Sequence, residues 1–337
     1  MLLLTGATGY LGSGIARELI ERRQSFRVLV RDARRLGFDP AKSRCEVTLG
    51  DLRDREALRS ALTGVSKVIH TAALVKMWVR DHRDYWRVNV EGLQNLLQAA
   101  DQAGVQRVVH TSSFLALGPS ADVHAGESLR RSGAFSNPYE ETKARALDWI
   151  RSEGARKFPI IVTFPGVIYG PGPATEGNLV GGMIDQYLAG KFPGVLGSGE
   201  QRWSFAFIPT VVNAHLAALE KGKVGEEYVL AGDNRTLNDF FRVLADLTHV
   251  RRPIRHLPFA LGKIVGAAEV MRARLFGHAP QLTPGVVEIF KHDWVYSSAK
   301  AIRDLDYCVA PLEEGLMKTI IEKKPSAIYR RPGQVST

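Results

Sequence analysis

Tyr139 and Lys143 stand four positions apart in the stretch "NPYEETKARALDW", residues 137–149. On a helix that spacing puts a phenol and an ammonium on one face. An ammonium close by stabilises the phenolate and lowers the tyrosine pKa from its ordinary value of about 10. Tyr139 is thereby a candidate general acid or base, and Lys143 a candidate partner for it or for a ribose hydroxyl. The stretch also has a purely structural account. Asn137 suits an N-cap, Pro138 the first helical position and Glu140 the far end of a capping box. Glu141 and Arg145 form an i,i+4 ion pair. On these residues alone both accounts stand.

Other stretches offer binding chemistry. "TGATGYLG", residues 5–12, follows a short apolar run. Gly6, Gly9 and Gly12 allow a tight turn whose backbone N–H groups approach a pyrophosphate at a helix start; Thr8, Tyr10 and Leu11 share that turn. "RVLVRDARR" sets Arg31, Arg34 and Arg35 beside Asp32. Arginines here hold a ribose 2′-phosphate, whereas an acidic residue binds the 2′-hydroxyl. NADP(H) is therefore the favoured cofactor and NAD(H) the alternative; Asp32 as a simple N-cap is the structural account. In "GDLRD", Asp51, followed by Leu52, either accepts from an adenine amino group or caps the next helix. "HTAA" supplies Thr71, Ala72 and Ala73, small enough for a cofactor to lie against the backbone. "VVHTSS" ends on Ser112 and Ser113. One hydroxyl there can bond a substrate oxygen, and a serine pair at a strand end equally forms a turn.

These residues need strands and helices to bring them together. The runs "LLLTG", "RVLVR", "CEVTLGD", "KVIHTAA", "RVVHTSS" and "IIVTFPG" alternate with amphipathic stretches at 11–22, 55–62, 89–103 and 139–152. This βαβα rhythm predicts a parallel, doubly wound sheet with helices on both faces. Ligands of such sheets lie beyond the carboxyl ends of the strands, where each motif above falls. After Gly166 glycine and proline become dense. "EEYVLAG", 226–232, is expected to return to the sheet, and 236–292 reads as a small helical lobe.

The chain has 337 residues, of which 45% are hydrophobic and 24% charged, ordinary for a globular protein. The net charge is +10, but lysine and arginine occur as singles and pairs. A solvated surface is the plain account, and attraction for anionic ligands or lipid surfaces the alternative. No basic segment carries interleaved aromatics, so no nucleic-acid partner is expected. Cys45 and Cys308 have neither disulfide nor metal-ligand spacing, and no metal is expected. The N-terminus lacks a charged segment and a long apolar core, so no signal peptide is expected. No apolar stretch reaches about 18 residues, which argues against a transmembrane helix. Peripheral membrane contact through 257–276 is a further expectation, and the cytoplasm is the default location.

The order of TGxxGxxG, a strand-end Asp, a strand-end Ser, YxxxK and then Pro165-Gly166 resembles the extended short-chain dehydrogenase/reductases over nearly the whole chain. The resemblance implies an α/β fold: a Rossmann doubly wound parallel sheet with a smaller, mixed C-terminal substrate-binding lobe. The dinucleotide-binding part would be 1–166 with about 207–235; the lobe would be about 167–206 and 236–321, and 330–337 a disordered tail. By this resemblance Ser113, Tyr139 and Lys143 are catalytic, Asn89 is structural or weakly catalytic, and Pro165, Gly166 and Val167 pack on a nicotinamide ring. "VLVRD", "AALVKMW", "TSSFLALG", "FPGVIYGPG" and "HDWVYSSAKA" look most like the dihydroflavonol-reductase-like branch, which includes plant farnesol dehydrogenase.

The sugar-nucleotide epimerases and dehydratases form the other large branch. They carry an Arg for the diphosphate where this chain has Trp203, and Arg202 is one residue off, on the opposite side of a strand. An NADP(H)-linked alcohol dehydrogenase or carbonyl reductase for a small, largely apolar substrate is the resulting expectation, as a monomer or homodimer. Val75, Trp78, Phe114, Tyr169 and Trp203 are the candidate substrate contacts, and the loop 75–86 a candidate lid. A sugar-nucleotide epimerase with tightly held NAD and a non-catalytic dinucleotide-binding regulator are the alternatives.

Overall fold

The computed structural model describes residues 1–76, 78–175 and 177–323. The expected tail, 330–337, lies outside the described residues. The apolar runs form β1 (Leu2–Thr5), β2 (Phe26–Val30), β3 (Cys45–Leu49), β4 (Lys67–His70), β5 (Arg107–Thr111) and β6 (Ile160–Pro165). Shorter strands follow: β7 (Val167–Tyr169), β8 (Val195–Leu196), β9 (Arg202–Phe207), β10 (Glu227–Leu230), β11 (Asp233–Thr236) and β12 (His256–Leu257). The first helices are α1 (Tyr10–Glu21), α2 (Arg55–Leu62), α3 (Arg83–Trp86), α4 (Gly92–Gln102), α5 (Phe114–Leu117), α6 (Pro138–Trp149) and α7 (Ala155–Lys157). Then come α8 (Leu179–Ala189), α9 (Ile208–Lys221), α10 (Leu237–Thr248), α11 (Phe259–Phe276), α12 (Pro284–Ile289), α13 (Ala299–Leu305) and α14 (Leu312–Lys323).

Seven strands make one sheet in the order β3-β2-β1-β4-β5-β6-β10, all parallel. The order turns back between β1 and β4, the switch point at which such sheets bind ligands. Both faces are covered, so the strands read as apolar runs instead of alternating; every residue of β6 is buried. Leu3, Val68 and Val108 face a core shared with Leu58 of α2, Leu93 of α4 and Leu147 of α6. Leu4, Ile69 and Val109 face the other core, with Ile15 of α1, Val211 of α9 and Leu305 of α13. As expected, "EEYVLAG" returns to the sheet: β10 lies parallel beside β6.

The second sheet is small and mixed. β9 runs antiparallel to β11 and parallel to β7, and β8 pairs with β12. Two expected helices differ in extent. The helix read from 89 begins earlier: α3 leads into a π-helical turn, Arg87–Glu91, and then α4. α6 runs into a second π turn, Ile150–Gly154, before α7.

Candidate functional site

The glycine turn shows whether the cradle suits a dinucleotide. Gly6 has φ +82, a left-handed conformation that L side chains rarely adopt. A Cβ there would lie 2.5 Å from Thr71 Oγ1 and 2.6 Å from the Ala72 nitrogen. At Gly12 a Cβ would lie 2.1 Å from the Gly6 carbonyl oxygen. Only glycines close β1 onto α1 this tightly. Gly9 is the α1 N-cap and no side chain caps it. The first-turn N–H groups of Tyr10, Leu11 and Gly12 therefore point out of the helix with no side chain satisfying them. These features fit a pyrophosphate.

The other candidate cofactor residues lie along the same edge of the sheet. Arg31 follows β2, Asp51 and Leu52 follow β3, Thr71, Ala72 and Ala73 follow β4, and Pro165 closes β6 with Gly166 and Val167 next. Thr71 Oγ1 donates to the Thr5 carbonyl at 2.8 Å, tying the ends of β1 and β4. Asp32 accepts from the Arg34 guanidinium at 3.0 Å through both oxygens and from the Arg34 backbone N–H. Those bonds hold its carboxyl below the usual range. Asp51 is bound in the same way by Arg53. Partial burial raises its pKa, but the Arg53 bonds outweigh this and the net direction is down.

Helix α6 carries the remaining candidates. Asn137 caps it, accepting from the Glu140 N–H at 2.9 Å. Glu140 does not bond back to the cap residue as a capping box would; it accepts from the Ser136 N–H at 2.9 Å and pairs with Arg131. Glu140 is wholly buried. Arg131 also donates to the Leu115 and Ala134 carbonyls, so the pair fastens the 131–136 segment and α5 to the start of α6.

Tyr139 and Lys143 are both buried on one side of α6. Ser113, the N-cap of α5, accepts from the Leu115 N–H at 3.2 Å and lies close enough to Tyr139 to act on its pKa. The turn-forming account of this serine holds, and it leaves the hydroxyl on the Tyr139 side of α5. Burial pushes the Tyr139 phenol up to about 12, and Ser113 opposes this. That direction is the reverse of the one expected from the Tyr–Lys spacing. Burial is the reason, and Lys143, whose Nζ donates to the Thr111 carbonyl at 3.0 Å, does not offset it. Burial lowers the Lys143 ammonium to about 8.

Asn89, in the π turn, accepts from the Leu74 N–H at 2.8 Å and donates to the Leu74 carbonyl at 3.2 Å and to Thr142 Oγ1 at 3.1 Å. It clamps the loop after β4 to α6. A floor of buried histidines lies below. His70 and His110 are register neighbours on β4 and β5, and their rings stack at 5.2 Å. Burial, reinforced by Lys143, lowers His70 to about 3 and His110 well below its ordinary value. On the opposite face, His215 accepts at Nε2 from Thr111 and Thr163 at 2.9 Å; its Nδ1–H points at the Val211 carbonyl, which fixes the tautomer. Sequence reasoning missed this floor. The repeated "VIHT" and "VVHT" strand ends were its signal, since parallel strands in register bring like positions together.

The candidate substrate contacts divide. Val75, Trp78 and Phe114 are half-buried. Phe114 meets Trp294 edge-on at 5.2 Å, and Trp294 lines a cavity of about 290 Å³ with Arg131, Phe135, Glu140 and His292. Tyr169 and Trp203 lie instead inside the core: Tyr169 between Phe205 and Phe207, and Trp203 against Phe290 at 4.6 Å. Aromatic residues on the inward side of a small sheet are needed to fill it, and both side chains are buried there. Arg202 donates to Asp293 at 3.2 Å and to the Ala121 carbonyl at 2.9 Å.

Residues 2–231 match the model of the NAD dependent epimerase/dehydratase family. The sterol demethylase protein B of Methylococcus capsulatus is 34% identical over 259 residues, 76% of this chain and 77% of that one. A putative dihydroflavonol 4-reductase of Synechocystis is 24% identical, covering 94% and 92%. A 3-beta-hydroxysteroid dehydrogenase of Mycolicibacterium neoaurum is 26% identical, covering 91% and 86%. Among solved structures, that of gox2253 superposes with a TM-score of 0.78 at 32% identity over 97% of this chain and 98% of that one. A UDP-glucose 4-epimerase of Thermotoga maritima with UDP-glucose has a TM-score of 0.73 at 22% identity, over 96% and 99%, a likeness of fold.

Proposed function

From a chain that belongs to the NAD dependent epimerase/dehydratase family and is an oxidoreductase, we propose an NADP(H)-preferring enzyme that interconverts a secondary or allylic alcohol and its carbonyl on a largely apolar substrate. The observation that carries this reading is Ser113, Tyr139 and Lys143 meeting at the carboxyl end of β5 beside the glycine cradle. When bound there, the dinucleotide supplies or accepts the hydride at its nicotinamide ring. Ser113 orients the substrate oxygen and stabilises charge developing on it. Tyr139 gives its hydroxyl proton to that oxygen in reduction and takes one back in oxidation. Burial keeps Tyr139 protonated, the form that donates. Lys143 keeps Thr111 in place, and its other N–H groups serve ribose hydroxyls.

The NADP(H) preference rests on Asp32. Its carboxylate is already forked onto Arg34, so it is poorly placed to take a 2′-hydroxyl, while Arg31 and Arg35 are exposed beside it. The apolar substrate class is supported by the sterol and steroid names of the relatives. Trp203 stands where a nucleotide-sugar's diphosphate would need an Arg, and the neighbouring Arg202 is committed to Asp293. The test is turnover of a panel of flavonoid, steroid and isoprenoid alcohols and ketones with each dinucleotide. We expect NADP(H) to give the higher kcat/KM, and Tyr139→Phe to lower kcat by a factor of about 10² to 10⁴ with the fold intact. Full turnover by Tyr139→Phe would falsify the mechanism. Conversion of a UDP-hexose would replace the substrate class.

A further inference from the structure

Helix α11 reverses the usual order of a surface helix. Its small residues Gly262, Gly266 and Ala273 are buried. Cβ atoms at the two glycines would lie 2.6 Å from Leu196 and 2.9 Å from the Thr283 backbone, so the helix is seated closely. Its large residues face out. Leu261, Ile264, Val265, Met271, Leu275 and Phe276 are 45–72% exposed. They are six of the fifteen exposed large hydrophobics among the described residues, on one 18-residue helix.

With about 3.6 residues per turn, these six share one half of the helix circumference. Lys263 and Arg274 border one edge of the stripe, and Arg272 lies within it, between Leu261 and Val265 around the helix. The segment leading into α11 adds Arg251, Arg252 and Arg255, all exposed. The acidic residue of the helix, Glu269, already accepts from Arg272 at 2.8 Å.

We propose that this face docks on an anionic lipid bilayer, with α11 lying in the plane of the headgroups. No helix of the described residues is long and apolar enough to cross a membrane, so α11 lies on the surface. A broad apolar face inserts into the headgroup boundary, while flanking lysine and arginine stems reach back to the phosphates. A second copy of the chain is the poorer occupant. A two-fold contact would press the cationic border of this face against the same border of the other copy, where the helix offers only Glu269 as an acidic partner and that carboxylate is already bound to Arg272. Lys263 pairs with Glu288 at 2.9 Å, and Glu288 lines the cavity that also contains Glu140 and Trp294. Docking therefore sets that cavity near the lipid. Delivery of a membrane-dissolved substrate to it rests on the proposed function; the docking itself does not.

Flotation of the full chain with phosphatidylcholine vesicles, with and without phosphatidylglycerol, tests the docking. We expect binding that needs phosphatidylglycerol and weakens with added salt. Ile264→Glu with Leu275→Glu, and separately Arg272→Glu with Arg274→Glu, should each weaken it about tenfold or more. Turnover of a water-soluble alcohol by these variants should be unchanged. Should the variants misfold, the lipid and salt dependence of the unaltered protein decides. Absence of binding to anionic vesicles overturns the proposal, as does light scattering that shows a dimer dissociated by the glutamate pair without vesicle binding. Those results leave turnover intact, whereas failure of the proposed function would appear as lost turnover with docking preserved.

Discussion

Helix α6 turns Tyr139, Glu140, Thr142 and Lys143 into the protein, whereas α11 turns Leu261, Ile264, Met271, Leu275 and Phe276 out of it. Both depart from the rule that apolar side chains go in and charged ones stay out. In α6 the departure is answered within the fold. Glu140 has Arg131 and the Ser136 N–H, Lys143 has the Thr111 carbonyl, Thr142 has Asn89, and Tyr139 has Ser113. In α11 nothing among the described residues covers the exposed side chains, and each forgoes burial worth about 1.5–3 kcal/mol when complete. A buried polar group with partners supports chemistry where it stands. An exposed apolar stripe supports contact with something else.

The sharpest way to break this contrast is to take one partner from α6. Glu140→Ala leaves the Arg131 guanidinium buried and unpaired, and we expect about 3–5 kcal/mol of lost stability. The shift of the urea midpoint measures it. A loss below about 1 kcal/mol would mean that water reaches Arg131 and that α6 is not closed as described.

The next largest effect is in pH. Lys143 holds its proton less tightly folded, at about 8, than unfolded, where it titrates near 10. Between those values the unfolded chain binds more protons, so stability should rise as pH increases. Tyr139, raised to about 12, acts with the opposite sign: above about 10 the unfolded chain loses a proton that the native state keeps, and stability should fall. Lys143→Met should abolish the rise between pH 8 and about 10 seen in denaturant midpoints, leaving the later fall. A rise that survives the substitution would assign it to another group.

The smallest effect belongs to α11. Ile264→Ser and Leu275→Ser remove little packing, so each should change stability by no more than about 0.5 kcal/mol. A loss of several times that would show the stripe to be covered by the chain itself, and the contrast with α6 would vanish.

Much of this was readable from the sequence because its signals are local. Apolar runs of strand length bounded by glycine and small polar residues gave β1 to β6, and Asn137-Pro138 gave the start of α6. What was not readable depends on partners far apart in the chain. Arg131 finds Glu140 only after the 131–136 segment folds back, and Asn89 finds Leu74 only because a π turn aims it there. The pKa direction at Tyr139 failed for the same reason. Spacing puts Lys143 on the right face but says nothing of how deeply the fold buries the phenol, and that burial raises it. The burial of Trp203 and Tyr169 was not readable, because an aromatic residue in a short strand reads alike whether it faces a pocket or the core.

The π turn at Arg87–Glu91 has a consequence for how this chain compares with others in an alignment. Such a turn is one residue more than an α-helix needs, so it behaves as a single-residue insertion lodged inside a helix. Removing one residue there would straighten the join between α3 and α4, but would turn one side against the other by about 100°. Tyr85, whose hydroxyl reaches the Lys76 carbonyl at 2.6 Å, would then no longer point at the loop it now holds. Loss of a single residue at this point would therefore free the loop from Tyr85 without changing any flanking residue.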